Sequence, residues 1–171
     1  MMKKALITMA MCFLCASILC VSAPAQADIL VNNAGLDLLI KSEAQTAVSM
    51  LQAIYDKHLK GEMTLEQAKK LGADLLREMK YGTEGYFFAD TTEGVSVVMY
   101  GRKDIEGKSI LQNRDTNGTY YIKEMLAKAK AGGGYAEYFY MKKGQTTTHL
   151  KRSYVLPFKP FGWIVGTGYY R

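Results

Sequence analysis

The chain has 171 residues, with 22 lysines and arginines against 16 aspartates and glutamates, and a formal net charge of +6 at pH 7. This length suits one domain with a hydrophobic core, and the basic residues are spread among acidic ones, so the charge does not indicate a nucleic-acid partner. All three cysteines, Cys12, Cys15 and Cys20, precede residue 28, which excludes disulfides, thiol catalysis and cysteine-bound metal from the rest of the chain.

The N-terminus has the pattern of a secretory signal peptide. Two lysines precede an apolar stretch over residues 5–21, and residues 25–27 supply the small-x-small cleavage site. A run of about 17 apolar residues is only marginally long enough to span a bilayer, and the cleavage-site residues and the polar Asp28 favour a removable signal over a retained anchor. We therefore predict a signal peptide over residues 1–27 and a single domain over residues 28–171. The product is expected to be periplasmic or secreted, or membrane-anchored if the peptide is not cut.

Two amphipathic helices are predicted next. Apolar residues recur every three or four positions over residues 36–59, as on one helix face, and Gly61 ends the pattern. Thr64 and Gln67 have the spacing of a capping box, which starts a second helix that runs to about Lys80.

The first helix also suggests an oligomer. A helix with more apolar surface than one sheet covers can bury the remainder against a second copy. A homodimer through residues 36–60 is therefore a hypothesis.

The rest of the chain is predicted to be mainly strands. Runs rich in Tyr, Phe and Val, bounded by turn residues, occupy Gly85–Ala89, Val95–Tyr100, Tyr135–Met141, Thr146–Leu156 and Trp163–Tyr169. A short helix is predicted over residues 120–130, with three glycines after it as a stop signal. Helices followed by strands joined through turns indicate an α+β fold with an antiparallel sheet.

Three separated motifs resemble the single Cache domain family, type 2, the extracytoplasmic sensor modules of bacterial chemoreceptors and sensor kinases. They are Tyr81-Gly82-x-x-Gly85-Tyr86-Phe87-Phe88, then Glu106-Gly107-Lys108 with Asp115-x-Asn117-Gly118, and finally Lys151-x-Ser153-Tyr154-Val155 with the strand Gly162-Trp163 to Tyr169. The order of predicted elements agrees with the family over essentially all of residues 28–171.

The resemblance implies a PAS-like Cache fold, in which a long N-terminal helix lies along a five-stranded antiparallel sheet. It implies a ligand, often a short carboxylate, held between the sheet and the loops that cover it. Carried over to this sequence, the pocket wall comprises Tyr86, Phe88, Tyr100, Tyr138 or Tyr140, Lys151 and Tyr154. Lys151 is the expected carboxylate partner, because a partly desolvated ammonium is a strong charge-assisted donor. Arg152 should point to the opposite face, because strand side chains alternate.

The sequence departs from the family in two places. Many members have His-Pro where Tyr100-Gly101 stands, which exchanges an imidazole for a phenol near the ligand, and many have Trp where Phe161 stands. Family members are also usually tethered to a transmembrane helix and a cytoplasmic signalling region. We expect this chain not to transduce a signal alone.

Other polar motifs have structural explanations. The segment Asp115-Thr116-Asn117-Gly118 lacks the glutamate that would close a calcium loop, so we interpret it as a turn before a helix. No nucleophile elbow, carboxylate pair or metal triad is visible, so neither an enzyme, a metal nor a cofactor is expected.

The predicted function is a free-standing periplasmic module that binds a small molecule, expected to be a short organic acid, and acts with a membrane receptor or transporter. The alternative is a Cache scaffold without a ligand that serves as a structural or protein-interaction module.

Overall fold

The computed structural model describes residues 24–171, with side chains from residue 33 onward. The three cysteines and residues 1–23 of the predicted signal peptide lie outside the described residues. Cleavage after residue 27 therefore stays a prediction.

Two helices open the described chain: α1 spans Pro24–Leu59 and α2 spans Leu65–Glu78. The helix α1 begins earlier than residue 36, with a proline at its first position, where the missing N–H costs no helical hydrogen bond. The predicted capping box is confirmed. The Gln67 backbone N–H donates to Thr64 Oγ1 at 3.1 Å, and the Thr64 N–H donates to Gln67 Oε1 at 2.8 Å.

An antiparallel sheet follows. Its strands are β1 Lys80–Tyr81, β2 Gly85–Thr91, β3 Ser96–Met99, β4 Gly134–Met141, β5 Thr148–Phe158 and β6 Trp163–Tyr170, and the helix α3 spans Tyr121–Lys130 between β3 and β4. The order is β1-β2-β6-β5-β4, and β3 also pairs with β2. The predicted α+β fold with five main strands is thus confirmed. The additional strand β1 was not predicted, because two residues carry no periodicity.

The sheet has two buried faces because its side chains alternate. On the face that we call the α1 face, strand residues pack against α1 and α2; the contacting core includes Phe87, Ala89, Trp163, Val165, Leu51 and Leu76. On the opposite face, which we call the α3 face, strand residues pack against α3; this core includes Phe88, Val155, Ile164, Ile122 and Met125. Two cores therefore share one sheet.

An ionic anchor fixes α1 along the sheet. Arg152 on β5 donates from Nε and Nη2 to the two carboxylate oxygens of Asp37, at 2.7 and 2.8 Å. Tyr169 Oη donates to Asp37 Oδ1 at 3.0 Å, and Tyr135 Oη donates to the Asp37 backbone carbonyl at 3.0 Å. The hydrogen bonds from Arg152 lower the pKa of Asp37 against the opposing effect of burial. A bidentate pair of this kind sets both the position and the angle of the helix.

Part of the predicted dimer surface is exposed in the single chain. Leu38 and Leu59 on α1 are 66% and 64% exposed. The homodimer through residues 36–60 stays a prediction. Equilibrium ultracentrifugation tests it, and the presence of monomer alone at high protein concentration would exclude the dimer.

Candidate functional site

A buried lysine lies at the centre of the α3 face. Lys151, in the middle of β5, is 1% exposed, and its Nζ donates to Tyr86 Oη at 2.7 Å. Four aromatic rings surround that ammonium, with centroids at 4.3 Å for Tyr86, 5.2 Å for Phe88, 5.5 Å for Tyr170 and 5.6 Å for Tyr140. We call these four rings the aromatic cage.

Strand alternation and register assemble the cage. Lys151 lies directly between Tyr138 on β4 and Tyr170 on β6, and residues opposite one another in a sheet share a face. Tyr86 and Phe88 are two positions apart on β2 and so point the same way. Gly166 on β6 makes room for the cage, because a Cβ there would lie 2.5 Å from Phe88 Cζ.

A second layer of tyrosines covers the cage from α3. Tyr121, the first residue of α3, stacks on Tyr138 with centroids 4.8 Å apart, and its edge meets Tyr140 at 5.9 Å. The hydroxyls of Tyr138 and Ser153 are 3.0 Å apart, which satisfies both buried groups. Burial raises the pKa of Tyr138 well above its ordinary value, so that this phenol stays neutral.

An opening leads from the surface toward the cage. Tyr100 stacks on Tyr86 with centroids 5.1 Å apart, and the ammonium groups of Lys80 and Lys143 lie 4.9 and 4.3 Å from its ring centroid. A cavity of about 60 Å³ is lined by Tyr86, Tyr100, Tyr140 and Lys143, among others. Tyr100 therefore lies in the outer wall of the site.

A carboxylate that sequence reasoning missed lies on the same face. Asp90, four positions after Tyr86 on β2, is fully buried, and neither of its side-chain oxygens has a hydrogen-bond partner among the described residues. Its cross-strand neighbour Ser96 is also buried, with a hydroxyl that has no partner in the described structure. Strand alternation was the sequence signal that could have identified Asp90, since residues 86, 88 and 90 of one strand share a face.

Burial shifts the pKa of both charged groups on this face, Asp90 and Lys151. Desolvation raises the pKa of Asp90 to about 7, against the attraction of Lys151. Desolvation also lowers the pKa of Lys151 to about 7, against the attraction of Asp90. The two groups thus affect one another electrostatically, although the ammonium is hydrogen-bonded to a tyrosine and the carboxylate has no partner among residues 24–171. Titratable groups shifted in this way often mark functional sites.

Six of the seven predicted pocket residues lie together on the α3 face or at its opening, and one does not. Tyr154 is separated from Lys151 by an odd number of positions, so it points to the α1 face with Arg152. Its ring meets the edge of Tyr135 at 4.7 Å. The prediction that Tyr154 shares a pocket wall with Lys151 is wrong, because the alternation that separates Arg152 from Lys151 applies equally to Tyr154.

The other polar motif has the structural role predicted for it. Asp115 Oδ1 accepts hydrogen bonds from the backbone N–H groups of Asn117 and Thr119 at 2.9 and 2.8 Å, and Oδ2 accepts from that of Phe139 at 3.0 Å. Asp115 therefore ties the turn before α3 to β4. Within residues 24–171, no cluster of three or more His, Cys, Asp or Glu residues is arranged to hold a metal ion, and no helix has the length and apolar character needed to cross a membrane.

Comparison with known proteins identifies the family of the chain. The family model described as Single Cache domain 2 matches residues 35–171. The chain is 36% identical over 124 residues to the sensor histidine kinase MctS of Rhizobium johnstonii, covering 72% of this chain and 26% of the kinase. It is 27% identical over 127 residues to the methyl-accepting chemotaxis protein McpP of Pseudomonas putida, covering 74% of this chain and 23% of that receptor. The chain thus spans about a quarter of each of these relatives.

Solved structures show the same fold. A Cache chemosensory domain, described as a structural basis for carboxylic acid recognition, superposes with a TM-score of 0.75 at 26% identity. The superposition covers 86% of this chain and 99% of that domain. The chain therefore belongs to the single Cache domain 2 family, and it is homologous to the extracytoplasmic sensor domains of chemoreceptors and sensor kinases.

Proposed function

We propose that the chain is a sensor module that binds a short organic acid, with the acid's carboxylate on Lys151. The observation that carries this proposal is the buried ammonium of Lys151. It has a neutral tyrosine hydroxyl as its hydrogen-bond partner and no carboxylate in ion-pair contact among the described residues. Buried charges in proteins are ordinarily paired, which supports a ligand anion as the partner of this ammonium.

The cage suits a small anion with an apolar part. Aromatic rings hold the ammonium by cation–π attraction without neutralising it, which leaves its charge available to a carboxylate. An incoming carboxylate replaces Tyr86 Oη as the principal acceptor, and the rings of Phe88 and Tyr140 enclose the carbon chain. The cationic side chains of Lys80 and Lys143 beside Tyr100 favour the approach of anions.

The solved Cache chemosensory domain supports the choice of a carboxylic acid, since its structure was described in terms of carboxylic acid recognition. Cache sensor domains are ligand-binding modules without catalytic activity, and we propose the same for this chain. We propose further that it is exported, acts as a free-standing module, and presents its ligand to a membrane receptor or transporter. N-terminal sequencing of the exported protein tests the first step, with Asp28 as the expected first residue.

Isothermal titration calorimetry of the purified protein with acetate, propionate, pyruvate and lactate tests binding. Saturable binding of at least one acid is expected. Lys151→Met should weaken it by about ten- to a hundredfold, because a charged hydrogen bond contributes roughly 1.5 to 3 kcal/mol. Lys70→Met is the matched control, since that lysine is exposed on α2. Equal affinity in both variants would exclude Lys151 as the carboxylate partner.

One observation favours the alternative function, a scaffold without a ligand. Lys151 is already buried against a hydroxyl partner, and the more enclosed cavity beside Tyr86 and Tyr140 is about 60 Å³, next to a more open one of about 190 Å³ beside Tyr86 and Tyr170. If the protein's own side chains fill the site, no ligand can bind there. The function would then depend on the surfaces of the sheet and helices, which would bind a partner protein. Absence of binding across a broad panel of acids, amino acids and amines, with the protein folded, would favour this scaffold function.

A further inference from the structure

Two buried polar side chains on the α3 face, Asp90 and Ser96, have no role in the proposed carboxylate site. Asp90 and Ser96 face one another across β2 and β3, next to a register shift between Ala89 and Asp90. Both are essentially inaccessible to solvent, and their three side-chain oxygens have no hydrogen-bond partner among the described residues. Groups of this kind are rare in folded proteins, because an unmade buried hydrogen bond carries the full cost of desolvation.

A purely structural role does not account for Asp90. Structural carboxylates cap helices, close turns or pair with a basic side chain, as the half-buried Asp115 and Asp37 do in this protein. Asp90 does none of these in the described structure, and its neighbours in the sheet are Ile164 and Ser96. Asp90 and Ser96 pair across β2 and β3 on one buried face, and their three side-chain oxygens can accept from a hydrogen-bond donor outside the chain.

We propose that Asp90 and Ser96 form the second polar end of the ligand site and bind a hydroxyl or ammonium group that the acid carries on its carbon chain. This inference rests on the proposed carboxylate site at Lys151. The ligand class is then short hydroxy or amino acids, in preference to simple alkanoic or keto acids. Asp90 is a specificity-determining residue in this arrangement.

The balance of charges in the site gives the physical reason for preferring acids that carry a hydrogen-bond donor. Lys151 supplies one positive charge, and the ligand carboxylate neutralises it. A simple acid then leaves Asp90 without a partner, beside a second negative charge in a site that excludes water. A donor on the ligand satisfies the carboxylate, and an ammonium also neutralises it. Sites that hydrogen-bond a ligand's OH or NH group reject the analogue that lacks it much more strongly than apolar pockets reject a missing methylene.

Four acids with one carbon skeleton test the proposal by calorimetry: propionate, lactate, alanine and pyruvate have hydrogen, hydroxyl, ammonium and carbonyl, respectively, at carbon 2. The isomers 3-hydroxypropionate and β-alanine place the donor one carbon further out. The wild-type protein is expected to bind at least one donor-bearing acid about tenfold or more tighter than propionate and pyruvate. If propionate or pyruvate binds as tightly as every donor-bearing acid, the proposal is overturned.

The variant Asp90→Asn separates the two kinds of donor. It keeps the shape and an acceptor oxygen but removes the charge, so a preference for an ammonium should fall to within about threefold of propionate, while a preference for a hydroxyl should fall less. Asp74→Asn, on the exposed surface of α2, is the matched control. An unchanged preference in Asp90→Asn would overturn the proposal, and the wild-type series decides independently if this variant does not fold.

Failure of this inference is distinguishable from failure of the carboxylate site. If no acid binds to the wild-type protein, or if Lys151→Met binds every acid normally, the carboxylate site is wrong and Asp90 has lost the basis of its role. If propionate binds through Lys151 but shows no disadvantage against the donor-bearing acids, only the role of Asp90 is wrong.

Discussion

Lys151 and Arg152 are adjacent basic residues on β5, but their side chains lie on opposite faces of the sheet and differ in whether a carboxylate pairs with them. On the α1 face, Arg152 is bound to Asp37 through two hydrogen bonds, and tyrosines complete the network. On the α3 face, Lys151 is enclosed by aromatic rings, and Asp90 has no partner among the described residues. The α1 face pairs its charges within the chain, whereas the α3 face leaves Lys151 and Asp90, for which we propose a role in ligand binding, without a direct ionic partner among the described residues.

The largest effect should come from the paired face. Arg152→Met leaves Asp37 without its main partner and should lower the free energy of unfolding by about 2 to 3 kcal/mol. Urea denaturation measures this value. Lys151→Met is the comparison on the same strand, and it should leave the free energy of unfolding unchanged or raised, because it replaces a desolvated ammonium with an apolar side chain. A greater loss for Lys151→Met than for Arg152→Met would show that the cage lysine is structural.

A smaller gain is expected from Asp90→Asn, which removes a buried charge that lacks a partner. The free energy of unfolding at pH 8 should rise by about 1 to 2 kcal/mol, because a neutral amide is less costly to bury than a carboxylate. Chemical denaturation of the variant and the wild type, without ligand, measures the difference. Equal stability at pH 8 would show that the carboxylate is satisfied in solution.

The same comparison has a defined pH dependence. The pKa of Asp90 is raised from 3.8 to about 7, so the folded protein binds that proton more tightly than the unfolded chain. The contribution of Asp90 to stability should therefore fall as pH rises from about 4 to about 7 and stay at its lowest above that range, whereas the lowered pKa of Lys151 makes the lysine's contribution rise from about pH 7 to about pH 10.5. The advantage of Asp90→Asn should grow over this window. The groups around Asp90 that also respond to its charge are Lys151, Tyr121 and Tyr140.

Tyr86→Phe should have a modest effect that differs between stability and binding. It removes the hydroxyl that accepts from Lys151 in the ligand-free protein and should lower the free energy of unfolding by about 1 kcal/mol. Acid affinity should stay equal or increase, because the ligand carboxylate takes the place of that hydroxyl. Tyr81→Phe is the control, since its hydroxyl lies 2.6 Å from Thr167 Oγ1. A large loss of affinity in Tyr86→Phe alone would place this hydroxyl in contact with the ligand.

The smallest effect should come from Tyr154→Phe. Because Tyr154 lies on the α1 face, calorimetry should give an acid affinity within about twofold of wild type. Tyr140→Phe, on the cage side, is the comparison. A tenfold loss in Tyr154→Phe would mean that the ligand does not lie on the α3 face.

Much of the fold could be predicted because its signals are local. The helix period, the capping box at Thr64 and Gln67, and the turns between strands depend on neighbouring residues, and the structure confirms them. Most of the site could be predicted from the family resemblance. Asp90 was missed because the predicted strand ended at Ala89, one residue too early for alternation to include it, and Tyr154 was misplaced because strand alternation was not applied to it.

The α+β class, the family and the choice of Lys151 as a candidate ligand residue thus followed from local patterns and motifs. Which charges have partners became visible only in the folded chain. Arg152 meets Asp37 across 115 positions of sequence, and Lys151 meets Tyr86 across 65. Such contacts depend on strand order and register, which bring distant residues together, and local sequence patterns do not encode those distances.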